Sequence, residues 1–275
     1  FVMQNRHVHG FKGMYARLIE PTTQDGKEEM FLDGQNRFSA RQANFEKIPG
    51  APVAYWVSEK LLMDFVKGRK LREIAEPKSG LSTTNNNLFL RIWYEVKFNT
   101  ISFDVTDIEQ TEENMKWFPL VKGGEYRKWS GNFEYVVNWE KNGRDIREAT
   151  KDAVGGRIVS PEYYFKKIIT WSGISSGEPS MRISDKAIFG SGAKALCSKE
   201  HLYTYLAFLN TKVALSILKF LSPTLNYEAG HIGNIPVCFE KNDSVESMAI
   251  KNVQISKDDW DSFEISWDFK KHPLI

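Results

Sequence analysis

The sequence predicts an α+β fold: a mixed, largely antiparallel twisted sheet with packed helices. Three observations lead there. Short aromatic and β-branched runs separated by turn residues recur between Leu88 and Trp171, and one long stretch with helical apolar spacing follows at residues 199–221. Hydrophobic residues make up 41% of the 275, enough to bury a core. In chain order, residues 1–47 hold Gly10, Gly13 and a turn-like Thr22-Thr23-Gln24-Asp25-Gly26 but no long periodic helix. The punctuation Lys47-Ile48-Pro49-Gly50-Ala51-Pro52 marks a restart, after which Val57, Leu61, Leu62 and Phe65 fall at helical spacing before Gly68. That spacing predicts a helix over 53–67. Leu71 to Ile74 is expected as a short strand, 79–87 as a polar loop, and Leu88 to Val96, rich in β-branched and aromatic residues, as a strand. Further strands are expected at 117–121, 135–139 and 168–171, with turns at Gly123-Gly124, Asn142-Gly143 and Ser175-Ser176-Gly177. A tight turn at Phe189-Gly190-Ser191-Gly192 is expected to lead to a single helix over 199–221, where Leu202, Leu206, Leu209, Val213, Ile217 and Phe220 form one apolar face ended by Ser222-Pro223.

Three segments result: 1–47 as a connector or the tail of a preceding domain, 48–238 as the principal domain, and 239–275 as an extension leading onward. The chain reads as a piece of a longer protein. Lys212 and Lys219 interrupt its most apolar stretch, so no membrane span is expected. Two cysteines, Cys197 and Cys238, are too few for a disulfide scaffold. Both are expected as buried thiols in a reducing, cytoplasmic compartment. Of the tryptophans, Trp56, Trp93, Trp117, Trp139 and Trp171 are expected in the core and Trp129 at the surface.

Net charge is only +2, but its distribution is uneven: residues 116–232 carry 17 basic against 11 acidic side chains. This is where a polyanion-binding surface is sought. Several chemistries lack their residues. There is no Pro-Pro dipeptide to build an adenine-methylating loop, and the glycine cluster at 190–192 lacks the strand–Gly-x-Gly–helix context of a nucleotide cradle. His7 and His9 have no third ligand at diagnostic spacing, so neither a metal site nor a catalytic site is expected. Glu95-Val96-Lys97 with Asp64 fits half of a restriction-nuclease motif, a weak alternative. A carbohydrate-binding β-rich module, using exposed tryptophans, is a second alternative.

Groups suited to a phosphate backbone are more plentiful. Lys122, Gly123, Gly124, Arg127 and Lys128 combine cations with glycines whose amides can approach an anion, and Lys166 and Lys167 add to them. Ser82, Thr83, Thr84, Asn85, Asn86 and Asn87, with Ser175 and Ser176, offer the hydroxyl and amide groups that read base edges, adenine by Asn especially.

From Ile48 to Ile275 the sequence also resembles the target-recognition region of large bacterial N6-adenine DNA methyltransferases of type II restriction–modification and phage-exclusion (BREX) systems. The matching stretches include Ile48-Pro49-Gly50-Ala51-Pro52, Gly80-Leu81-Ser82-Thr83-Thr84-Asn85-Asn86-Asn87, Lys116-Trp117-Phe118-Pro119-Leu120-Val121-Lys122-Gly123-Gly124, and Ser222-Pro223-Thr224-Leu225-Asn226-Tyr227. They continue with Gly230-His231-Ile232-Gly233-Asn234-Ile235-Pro236 and Asp259-Trp260-Asp261-Ser262-Phe263. The resemblance departs at 187–192, where the family often has a more hydrophobic, aspartate-bearing segment. It implies a fold similar to the recognition domains of type I specificity subunits and a role in sequence-specific binding of double-stranded DNA. It further implies a catalytic domain elsewhere in the parent chain that uses S-adenosylmethionine, with no cofactor bound by the present segment.

Overall fold

The computed structural model describes residues 8–112 and 115–275, so the His7 expectation lies outside the described residues. The chain divides into two units: residues up to Arg69 together with Pro236–Cys238, and Lys70–Ile235 together with Phe239–Ile275. The boundary expected at residue 48 therefore falls within the first unit, and residues 239–275 belong to the second.

The first unit holds β1 (Gly13–Ala16), α1 (Gln24–Leu32), β2 (Arg37–Ala40), α2 (Glu59–Lys67) and the first residue of β3 (Arg69–Lys70). β1 and β2 pair antiparallel, Gly13 opposite Ala40 and Ala16 opposite Arg37. Tyr15 stacks on Tyr55 at 4.7 Å between ring centroids, and Arg17 sits 4.4 Å over the Trp56 ring. The expected helix over 53–67 begins only at Glu59, because the Ser58 hydroxyl accepts from the Leu61 amide and fixes the first turn there.

The second unit contains β4 (Glu76–Ser79), α3 (Asn86–Phe89), β5 (Leu90–Ile92), β6 (Trp117–Val121), β7 (Tyr135–Asn138) and α4 (Glu140–Thr150). It continues with β8 (Ile168–Ser172), β9 (Arg182–Ser184), β10 (Ile188–Phe189), β11 (Ala193–Cys197), α5 (Leu202–Leu209), α6 (Lys212–Leu221) and α7 (Ala229–Gly233). After the two-residue β12 (Pro236–Val237), which lies in the first unit, α8 (Asp243–Trp260) completes it. Two four-stranded sheets result, ordered β10-β6-β7-β5 and β4-β11-β8-β9. Every pairing in them is antiparallel except β10 with β6. The α+β class thus holds.

The core lies between these sheets. Leu90, Val137 and Phe118 stand opposite one another across β5, β7 and β6, and so share one face. They pack in one cluster with Ile168, Ala193, Ala195 and Cys197 of the other sheet, with Tyr164, Phe165 and Phe189 among them. Trp139 and Trp171 are fully buried as expected, but Trp56, Trp93 and Trp117 are only half-buried. Trp93 donates to the Ile265 carbonyl at 2.9 Å, which keeps its ring near the surface.

Local polar side chains override the periodic pattern at four places. Leu71–Glu73 forms a 3₁₀ turn, not a strand. The strand expected over 88–96 is reduced to Leu90–Ile92: the Asn85 side chain caps a helical turn before it, accepting from the Leu88 amide at 3.1 Å, and the Glu95 carboxylate ends it by accepting from the Ile92 amide. Asn142 and Gly143 do adopt left-handed backbone, yet a helix to Thr150 follows them. Finally, the helix expected over 199–221 is two, bent by 71°, because the Thr211 hydroxyl caps α6 by accepting from the Ala214 amide. Among the described residues no single helix is long and apolar enough to cross a membrane.

Candidate nucleic-acid interface

The loop predicted to read bases starts where β4 ends. Ser79 lies opposite Lys194 on β11, and Ala193 lies opposite Ser172 on β8, so the Ser79–Asn87 loop and the loop after Ser172 leave the sheet at the same end. Leu81 donates to the Phe189 carbonyl at 2.8 Å and its own carbonyl accepts from the Ser191 amide at 2.7 Å. The Gly190 amide donates to the Val121 carbonyl at 2.8 Å, directly before Lys122-Gly123-Gly124, and the Gly173 amide donates to the Gly192 carbonyl at 2.9 Å. Residues 189–192 are therefore not a turn before the long helix. They form a crossing from one sheet to the other that ties the roots of three loops together. The approach is close: a Cβ on Gly80 would lie 2.1 Å from the Phe189 carbonyl oxygen. The Gly190 and Ser191 amides are thus both engaged in tying these loops together.

The side chains at this end divide by role. Thr83 is buried and donates to the Asn86 side-chain oxygen at 2.7 Å, while Asn85 serves as the helix cap; both are held by local bonds. Asn85, Asn86 and Asn87 are exposed, as is Thr84, whose φ is 62°. Arg91 donates to the Asn87 and Leu90 carbonyls, both at 2.6 Å, and so braces the far side of the loop. Ser82 pairs with Arg157 through reciprocal amide bonds of 2.9 and 3.0 Å. An exposed arginine, absent from the predicted set, therefore stands beside the base-reading loop; the charge run around it gave no sign of this pairing. Ser175 and Ser176 lie in the third loop, where the Ser175 amide donates to the Leu225 carbonyl and the Tyr227 amide to the Gly173 carbonyl.

The predicted phosphate-binding cations are less uniform. Lys122 Nζ rests 4.5 Å from the centroid of the Tyr135 ring, at the mouth of the glycine loop. Arg127 is bound to Asp259, donates to the Ser130 carbonyl at 3.2 Å and lies 5.1 Å over the Trp260 ring. Lys128 reaches the carbonyl of Asn210, the residue that ends α5, at 2.9 Å, and Trp129 beside it, expected at the surface, is half-buried with a φ of 74°. Lys166 and Lys167 precede Ile168, the opposite end of β8 from Ser172, and each faces an aspartate, Asp107 and Asp185 respectively. The structure brings together the Ser82–Asn87 loop, Gly123-Gly124 and Ser175-Ser176, but not Lys166 and Lys167.

Beneath the glycine loop lies a group outside the predicted site residues. Arg182 is fully buried, and burial pulls its pKa down to about 10. Its Nε and Nη1 have no hydrogen-bond partner among the described residues, and Nη2 lies 3.5 Å from the Ser172 hydroxyl. That hydroxyl donates to the Gly124 carbonyl at 2.9 Å.

Of the remaining candidates, Glu95 spends its carboxylate on the Ile92 amide, and Asp64 lies in the first unit, where its carbonyl accepts from Cys238. No group of three or more metal-ligating side chains occurs among the described residues. Cys197 is buried as expected, whereas Cys238 is exposed, since its segment lies at the unit's surface.

No protein-family model matches the sequence. Two curated relatives align with all of it: the adenine-specific methyltransferase PglX of Lacticaseibacillus casei (strain Zhang), 39% identical over 289 aligned residues, and the adenine-specific methyltransferase BrxX of Escherichia coli O9:H4 (strain HS), 35% identical over 282. The chain spans 24% of the first and 22% of the second, about a quarter of their length. From end to end, then, it matches one segment of the adenine-specific methyltransferases PglX and BrxX.

Proposed function

We propose that this chain binds double-stranded DNA and selects the target sequence for an adenine-specific methyltransferase of which it forms a part. On this reading methyl transfer, with S-adenosylmethionine as donor, falls to a catalytic domain of the same parent chain, in restriction–modification or phage defence. The observation that carries it is the convergence of the Asn85–Asn87 loop, Gly123-Gly124 with Lys122, and the Ser175-Ser176 loop on the 189–192 crossing between the two sheets. Amide side chains suit adenine edges in the major groove, and a cation beside open backbone amides suits phosphate. The similarity to proteins named adenine-specific methyltransferases supports the substrate. The segment would hold the duplex while a catalytic pocket receives the extruded adenine.

A fluorescence titration of random duplex against salt tests this. Log affinity is expected to fall linearly with log salt, by about 0.9 per phosphate neutralised. K122A is expected to weaken binding to all sequences alike, whereas Asn86→Ala changes the preference among sequences. A plot flat with salt overturns the reading.

A further inference from the structure

A buried guanidinium with no counter-ion among the described residues is the least expected feature of the second unit. Arg182 begins β9 opposite Thr170, and that residue and Ser172 alternate onto the same face of β8. The Ser184 hydroxyl, two residues on, also lacks a partner among the described residues. Buried polar groups are ordinarily paired, and an unpaired one calls for an explanation. Among the described residues, the only hydrogen-bonded route from this cation outward runs through the Ser172 hydroxyl to Gly124. There Gly123 is buried, Gly124 is exposed, and both hold left-handed φ values, 113° and 123°. Neither amide has a hydrogen-bond partner among the described residues. A side chain would not be accommodated at Gly124, where a Cβ would meet the Asn132 amide at 2.8 Å.

We propose that Arg182, Ser172 and the Gly123-Gly124 amides form an oxyanion site whose ligand is a phosphate group, supplied by the backbone of a DNA duplex. Arg182 acts as a positioning charge: in a low-dielectric interior its field is poorly screened and is felt at the loop above it. A phosphate on the loop takes the place of the missing counter-ion, while the Ser172 hydroxyl links the two. The source of the phosphate rests on the duplex-binding reading; the site itself does not.

The test is thermal unfolding of the full chain in sodium phosphate against sodium chloride at equal ionic strength, followed by duplex titration. Phosphate is expected to raise the midpoint of the wild type above its value in chloride. R182M is expected to lose that response while staying at least as stable in chloride, since it removes an unpaired buried charge. R182K is expected to keep part of the response. S172A, which breaks the link without touching the charge, is expected to weaken the response and serves as the readout should R182M fail to fold. In the duplex titration R182M is expected to reduce the salt slope by about one unit. A wild type indifferent to phosphate, or an undiminished response in R182M or S172A, overturns the site even if duplex still binds. A phosphate response lost in R182M in a protein that binds no duplex supports the site and overturns the DNA source.

Discussion

Burying an indole commits its N–H as well as its ring, and the two fully buried tryptophans differ in that respect. Trp171 donates to the Tyr227 carbonyl at 2.7 Å, whereas the Trp139 N–H has no partner among the described residues. Replacing either by Phe removes similar apolar volume, but only Trp171→Phe orphans a buried acceptor. Urea unfolding is expected to find Trp171→Phe less stable than Trp139→Phe by about 1 kcal/mol or more. The thiols separate as clearly. Burial pushes the Cys197 thiol up to about 12, while Cys238 is exposed. A thiol reagent at neutral pH is expected to modify one cysteine in the native protein and two in denaturant, with C238S abolishing the native reaction. Both cysteines read alike in the sequence, because apolar neighbours along the chain do not report how a segment lies against the fold.

At the level of the element, strand β4 is tied down by an acid–base cluster: Glu76 accepts from the Tyr163 hydroxyl at 2.6 Å and pairs with Lys78 at 2.8 Å. The Lys78 bond, then that of Tyr163, holds the Glu76 carboxyl below its ordinary 4.5. A carboxyl depressed in the folded state stabilises it at pH values above the unfolded pKa, and that stability is lost as pH falls through the lower, folded value. Melting temperature followed from neutral to acid pH is expected to drop less steeply below 4.5 in Glu76→Gln than in the wild type. Strand existence was legible where the pattern was strongest: 117–121 matched β6, and 135–139 and 168–171 came within a residue of β7 and β8. Ends and breaks were not. Thr211 lies within the stretch read as one continuous helix and becomes a cap only because the Asn210 side chain leaves the helix to bond both the amide and the carbonyl of Met181. A partner 29 residues away leaves no trace in local spacing.

For the second unit as a whole, the basic loop and the last helix form one structure. The polar loops and their sequence neighbours were readable, and so was the excess of cations. What those cations face was not, because it depends on α8, whose Ser256 hydroxyl reaches the carbonyls of Lys128 and Ser130 at 3.0 and 2.9 Å. Trp260 is buried beneath Arg127, and Asp259 binds its guanidinium. Arg127 and Lys122 therefore separate by experiment although the sequence groups them. Removing Arg127 discards a stacking contact worth about 0.5–1 kcal/mol at an exposed site and a carbonyl bond worth about 1 kcal/mol. R127A is thus expected to lower stability by about 1–2 kcal/mol, and K122A, which loses only its contact with the Tyr135 ring, by about 0.5–1 kcal/mol. Trp260→Ala opens a cavity under the loop and is expected to cost about 3 kcal/mol or more. Chemical denaturation of the three variants beside duplex titration gives the decisive comparison: K122A loses affinity with the smallest loss of stability, Trp260→Ala loses stability, and R127A loses both. If R127A instead unfolds like the wild type, α8 does not support the loop, and its arginine is free to meet a ligand.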